Sequence, residues 1–135
     1  MDNLFVEIVA PDRRAFQGQA QGLRAPGAEG SFEVLKDHAP MIATIEVGPL
    51  FVTSLTGEKI GFATSGGFVE VLNNVVTVLT ETCEPASEID VERARNAEQR
   101  AKEALTTAAG PAEREKAEKA LERARNRLRL SMGDV

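Results

Sequence analysis

The pair Gly110-Pro111 divides the C-terminal part of the sequence into two stretches that repeat one pattern. Before it, Ala94, Ala97, Ala101, Ala104 and Ala108 recur at steps of three and four. After it, Ala117, Leu121, Ala124 and Leu128 do the same. These steps define one face of an α-helix and match the seam of a coiled coil. Proline has no amide donor and its ring clashes with the preceding turn, so no regular helix runs through position 111. The pattern therefore predicts an antiparallel two-helix hairpin. Alanine is the best helix former but buries little surface, so each helix is secure while their mutual contact is weak. A hairpin of this kind suits a moving arm better than a rigid scaffold.

The expected helix boundaries follow from capping chemistry. Pro85 closes the preceding strand, Ser87 is placed as N-cap, and Asp90 stands three residues on, where a capping-box acid belongs. The first helix is expected over 88–108, roughly 30 Å at about 1.5 Å per residue. Pro111 suits the first turn of the second helix, which is expected to reach about Leu130, with Gly133 just past its end.

Residues before Glu84 carry a different period. Leu4–Val9, Met41–Val47, Leu50–Leu55, Ile60–Ala63, Phe68–Leu72 and Val75–Leu79 are rich in β-branched and apolar residues, with Phe16–Leu23 as a weak or edge strand. Pro11-Asp12, the Ala25–Gly30 segment, Gly48-Pro49, Thr56-Gly57-Glu58 and Asn73-Asn74 are read as the turns between them. Short strands with no intervening helices indicate an antiparallel β-sandwich or barrel and exclude a nucleotide-binding α/β domain. The fold expectation is thus α+β: an N-terminal sandwich over 1–85 and a helical hairpin over 86–135. All six phenylalanines fall in the first part, where most are expected to fill the core.

Charge separates the two parts. Residues 1–87 hold five Lys/Arg against eleven Asp/Glu, and residues 88–135 hold eleven against ten. The overall charge of -5 disfavours general nucleic-acid binding. Met1-Asp2-Asn3 is acidic and Glu7 soon interrupts the apolar run, so no secretory leader is expected. No stretch approaches the roughly 20 apolar residues that span a bilayer, which leaves membrane association only through other proteins. The single cysteine, Cys83, cannot form an internal disulfide and reads as a small strand residue.

Catalytic patterns are missing. The sequence has no Walker-type phosphate loop, no Cys/His metal spacing and no nucleophile elbow. His38, the one histidine, lies in the loop Lys36–Pro40 beside no nucleophile it would activate. The arginines are more informative. Folding the hairpin about Gly110 sets Arg93 across from Arg127, and Ala97 across from Arg123. Arg93 and Arg100 are seven apart and Arg123 and Arg127 four apart, so each pair shares a helix face. One reading is a solvated edge with Glu92, Glu98 and Glu122 as loose ion partners. The other is an anion site in which several guanidinium groups converge on phosphates and fasten a poorly packed hairpin.

Four segments in this order resemble the epsilon subunit of the F-type ATP synthase, and the likeness spans essentially the whole chain. Gly30–Met41, ending in His38-Ala39-Pro40, is similar to that family's glycine-rich loop and histidine-proline element. Ser65–Val71 with Val75–Leu79 is similar to its serine-diglycine strand pair. Ile89–Ala94 matches the ATP-binding motif of its bacterial members, and Leu121–Leu128 resembles its final helix. The resemblance implies a non-catalytic rotor subunit. Its sandwich would hold the gamma subunit and rest on the c-subunit ring through Glu29, His38, Pro40 and Met41. Its arm would lie folded in one state and in another extend to the alpha and beta subunits, inhibiting ATP hydrolysis. ATP would act as a regulatory ligand, with no catalytic cofactor, at Glu84, Ile89, Asp90, Arg93, Ala94, Arg100, Arg123 and Arg127. The implied location is the cytoplasmic face of the bacterial membrane, reached through the complex. An adaptor whose hairpin binds an unrelated acidic partner is the alternative. Two departures stand out: Phe32 and Glu33 replace a usual Leu-Gly, and the hairpin turn carries Gly110-Pro111, which opposes a continuous extended helix.

Overall fold

The computed structural model describes residues 2–133, so Met1 and the last two positions lie outside the described residues. The chain forms two compact units, Met1–Pro85 and Ala86–Val135.

The first unit holds strands β1 (Leu4–Ala10), β2 (Arg13–Ala20), β3 (Gly22–Gly27), β4 (Gly30–Leu35), β5 (Met41–Thr53), β6 (Lys59–Leu72), β7 (Val75–Thr80) and β8 (Cys83–Pro85). Their order is β2-β1-β7-β6-β5-β3-β4, with β8 also paired to β6. In β1 the buried residues Leu4, Val6, Ile8 and Ala10 alternate with half-buried ones, the period that places one face of a strand on a core. All pairings are antiparallel except β1 with β7, which are parallel with Phe5 opposite Val75. β6 pairs with β7 through Gly67–Leu72 and with β8 through Phe62–Thr64, changing partner at Ser65-Gly66-Gly67. Gly66 (φ 116) and Gly67 (φ 149) supply backbone angles that side chains disfavour.

Two expectations fail here for identifiable reasons. Gly48-Pro49 does not turn the chain, because β5 continues through it to Thr53. β3 also continues through Pro26, where a loop was expected. The β3–β5 pairing breaks between Arg24 and Gly27. Both prolines fall opposite that gap, where no ladder donor is needed. Gly48 is required there, since a Cβ would stand 2.6 Å from Cβ of Pro26. The aromatic core is also not found. Only Phe62 is buried; the centre is aliphatic, with Leu4, Ile8, Leu23, Leu50 and seven valines fully enclosed. Phe16 meets Phe62 edge-on at 6.4 Å, while Phe68 is 55% exposed.

Phe68 belongs to an outward sheet face whose composition is set by register. One row runs Thr44, Phe68, Leu79 and Val9 across β5, β6, β7 and β1. A parallel row joins Leu72, Val75 and Phe5, and between them runs a polar row of Glu70, Thr77 and Glu7. Leu72, Val75 and Leu79 are exposed, as is Ile42 opposite Glu70.

The second unit opens with a 3-10 turn, Ala86–Glu88, closed by the Ile89 amide donating to the Ala86 carbonyl at 3.3 Å. Helix α1 covers Val91–Thr107 and α2 covers Pro111–Ser131. The N-cap of α1 is Asp90 rather than Ser87: its carboxylate accepts from the Arg93 amide at 3.1 Å, so the first turn expected at Glu88 is replaced by the 3-10 turn. At the bend, Gly110 is extended, Pro111 takes the first position of α2, and the Ala109 amide donates to the Glu113 carboxylate at 3.1 Å. Ala94, Ala101, Ala117, Leu121, Ala124 and Leu128 are buried, as the stripes predict. Ala97 and Ala108 are half-buried, and Ala104 is exposed because the helices leave an open groove beside it.

Candidate functional site

The groove lies within the hairpin and encloses about 480 Å³, a volume in the range of small-molecule sites. Alanine makes its floor: Ala97, Ala101 and Ala104 from α1, Ala108 just past its end, and Ala117 and Ala120 from α2. Small side chains let two helices run close without filling the space between them, so a channel remains above the seam. Cations make its walls. Arg100, Arg123, Arg127 and Lys116 line it against a single acid, Glu113. Arg123 and Arg127 are half-buried and Arg100 is exposed. Several guanidinium groups around an apolar floor suit a ligand that carries phosphates on one end and a flat apolar group on the other.

The groove is lined by some of the expected residues. Arg100, Arg123 and Arg127 share the groove, and Ala97 lies with them as the fold-back about Gly110 requires. The bend register is also marked by Arg125 Nε, which donates to Glu98 Oε2 at 3.4 Å across the helices. Ile89, Asp90, Arg93 and Ala94 sit at the start of α1 and are not among the groove's lining residues. Asp90 is engaged as the cap, Arg93 is exposed, Ala94 is buried in the seam and Ile89 is half-buried. Glu84 belongs to β8 of the first unit, opposite Ala63. Lys116 was not anticipated, although it stands seven residues before Arg123, the same helical step that groups Arg93 with Arg100.

The remaining expected residues lie in or next to loops of the first unit. Glu29 is exposed at the β3–β4 tip, where the Ala28 amide donates to the Thr44 carbonyl at 3.1 Å. Thr44 itself stands three residues along β5 from Met41. His38 is half-buried; its amide donates to the Leu35 carbonyl, and its Nδ1 donates to the Ala39 carbonyl at 2.8 Å. Pro40 is exposed, and Met41 packs partly against the core. Cys83, the free thiol, is buried on β8, and burial pushes its pKa up to about 11, with Arg13 partly offsetting the rise. A thiol so placed is protonated and inert at neutral pH. Among the described residues no cluster of potential metal ligands exists, and no helix is long and apolar enough to cross a membrane.

Comparison with known proteins agrees in both units. The family profile described as ATP synthase, Delta/Epsilon chain, beta-sandwich domain matches residues 3–86. The profile for the long alpha-helix domain of the same chain matches residues 87–132. An ATP synthase epsilon chain from Salinibacter ruber is 58% identical over 142 residues, covering 99% of this chain and 95% of the relative. One from Syntrophomonas wolfei is 40% identical, covering 93% and 92%. Among solved structures, a chain of the Euglena gracilis mitochondrial ATP synthase OSCP/F1/c-ring assembly superposes with a TM-score of 0.83 at 26% identity. The match covers 93% of this chain and 79% of that one. A chain from the Tetrahymena thermophila mitochondrial ATP synthase central stalk and c-ring shares the fold, at a TM-score of 0.61 and 15% identity over 96% of each chain.

Proposed function

The chain belongs to the ATP synthase delta/epsilon family, and from that premise we propose that it is a regulatory rotor subunit whose arm senses ATP. The sandwich docks on the gamma subunit through its exposed apolar rows and on the c-subunit ring through Glu29, His38, Pro40 and Met41. The complex works at the cytoplasmic face of the membrane. The chain itself performs no catalysis. Its arm inhibits hydrolysis when it leaves the folded state and reaches the alpha and beta subunits.

The observation that carries the sensing role is the cationic groove with an alanine floor. Arg100, Arg123 and Arg127 would take the phosphates, and the floor would take the base. ATP acts there as a ligand, since the groove supplies no carboxylate pair or general base for attacking water. Because the groove needs both helices, nucleotide stabilises the folded hairpin and not the opened one. At a hundredfold excess over its dissociation constant this adds about 2.7 kcal/mol. The alanine seam leaves the hairpin's own packing small enough for that increment to matter. The test is hydrogen exchange over residues 88–130 with and without millimolar ATP. Slower exchange in both helices is expected; identical exchange removes the sensing role.

A further inference from the structure

Glycines apart, the left-handed backbone of the first unit is confined to the Asp37 loop and the β6–β7 turn. Among the described residues only Asp37, Asn73 and Asn74 combine a side chain with positive φ, at 66°, 51° and 64°. Asparagine and aspartate tolerate this region better than other residues, and such conformations persist where surrounding contacts over-determine them. Those contacts are reciprocal. The Asp37 amide donates to Asn74 Oδ1 at 2.6 Å, and Asn74 Nδ2 donates to Asp37 Oδ1 at 3.2 Å. The Asn74 carbonyl in turn accepts from the Phe5 amide at 2.9 Å. The loop that carries His38 and Pro40 is thereby tied to the β6–β7 turn and to the start of β1.

Exposed apolar side chains flank the tie. Leu35 and Ile42 lie on either side of the loop, and Leu72 and Val75 on either side of the turn. An unanchored five-residue loop would lose conformational freedom on docking and weaken association. Loops fixed in advance avoid that loss.

We infer that Asp37 and Asn74 are positioning residues: their clasp presets the His38–Met41 loop and the β6–β7 turn as one rigid docking corner for the rotor ring. This rests on the docking role proposed above. The clasp acts through the loop it holds. Its logic is pairwise, so exchanging the two side chains preserves both hydrogen bonds with the side-chain donor on the other partner.

The experiment compares the natural chain, Asn74→Asp, and the double exchange Asp37→Asn with Asn74→Asp. Each is titrated as the full-length chain into synthase stripped of this subunit, and the free chains are followed by amide exchange and thermal melting. Asn74→Asp sets two carboxylates face to face. It is expected to weaken binding about tenfold and speed exchange at the residue 37 amide, with the melt little changed. The double exchange is expected to restore both. Binding by Asn74→Asp equal to the natural chain overturns the inference, as does loss that the double exchange fails to recover. A natural chain that binds no stripped synthase overturns the docking role itself. In that case restored exchange protection in the free double variant shows only that the clasp exists as a structural tie.

Discussion

Replacing Gly67 by alanine tests the account of how β6 changes partners. Two separable penalties apply. Gly67 has φ 149°, where L side chains are strained by about 1–3 kcal/mol. A Cβ there would also collide with the Leu79 carbonyl oxygen and stand 2.9 Å from the Leu79 carbonyl carbon and from Cα of Thr80. These are backbone atoms of the paired strand β7, which cannot rotate away as a side-chain tip can, so a further ~1–3 kcal/mol is expected. Gly30 provides the control: its φ is 124°, and a Cβ there would meet nothing within 4 Å. Gly30→Ala therefore carries strain alone. The difference of about 2 kcal/mol corresponds to roughly 10 °C in the melting midpoint of a domain this size. Cys83 supplies a local readout, since it is the only cysteine and is buried in the sandwich. Pulsed thiol labelling during heating reports opening of this unit without interference from the helices. If both variants expose Cys83 at the same temperature, the close approach of β6 and β7 does not exist as described.

Arg123→Ala removes a half-buried cation from the groove and is expected to weaken ATP binding about tenfold or more, measured by calorimetry; unchanged affinity would exclude Arg123 from the site. Replacing Gly110-Pro111 by two alanines lowers the cost of a straight arm by roughly 4 kcal/mol. Synthase carrying that variant should hydrolyse ATP more slowly at low nucleotide, and an unaltered rate would show that extension does not need a continuous helix. For Cys83, the folded thiol holds its proton up to about 11 against 9.0 for the ordinary group, so stability is complete below pH 9 and falls as pH rises toward 11. Denaturant midpoints across that range should fall more steeply in the natural chain than in Cys83→Ala, and parallel curves would contradict the assigned cause.

Periodicity made the helices readable, because the alanine steps and Pro111 are local signals that packing did not override. Local rules misled where a distant strand decided the outcome. Gly48-Pro49 has turn chemistry, yet the gap opposite Pro26 lets β5 pass straight through. Phe68 looked like core material, and only its register opposite Thr44 and Leu79 reveals that it faces outward. The groove was half legible: helical steps grouped Arg100 with Arg123 and Arg127, but the engagement of Asp90 as a cap depends on where the helix starts. Nothing local could disclose the Asp37–Asn74 clasp, whose partners stand 37 residues apart.

The parallel seating of β1 against β7 has a consequence during synthesis. The first strand made is completed on one side by a segment that begins only at Val75. At about 5–20 residues per second, Leu4, Val6 and Ile8 wait several seconds before that neighbour is translated. A ribosome stalled before codon 75 would therefore hold a greasy, unfinished sheet edge, and chaperone capture should be strongest in that interval.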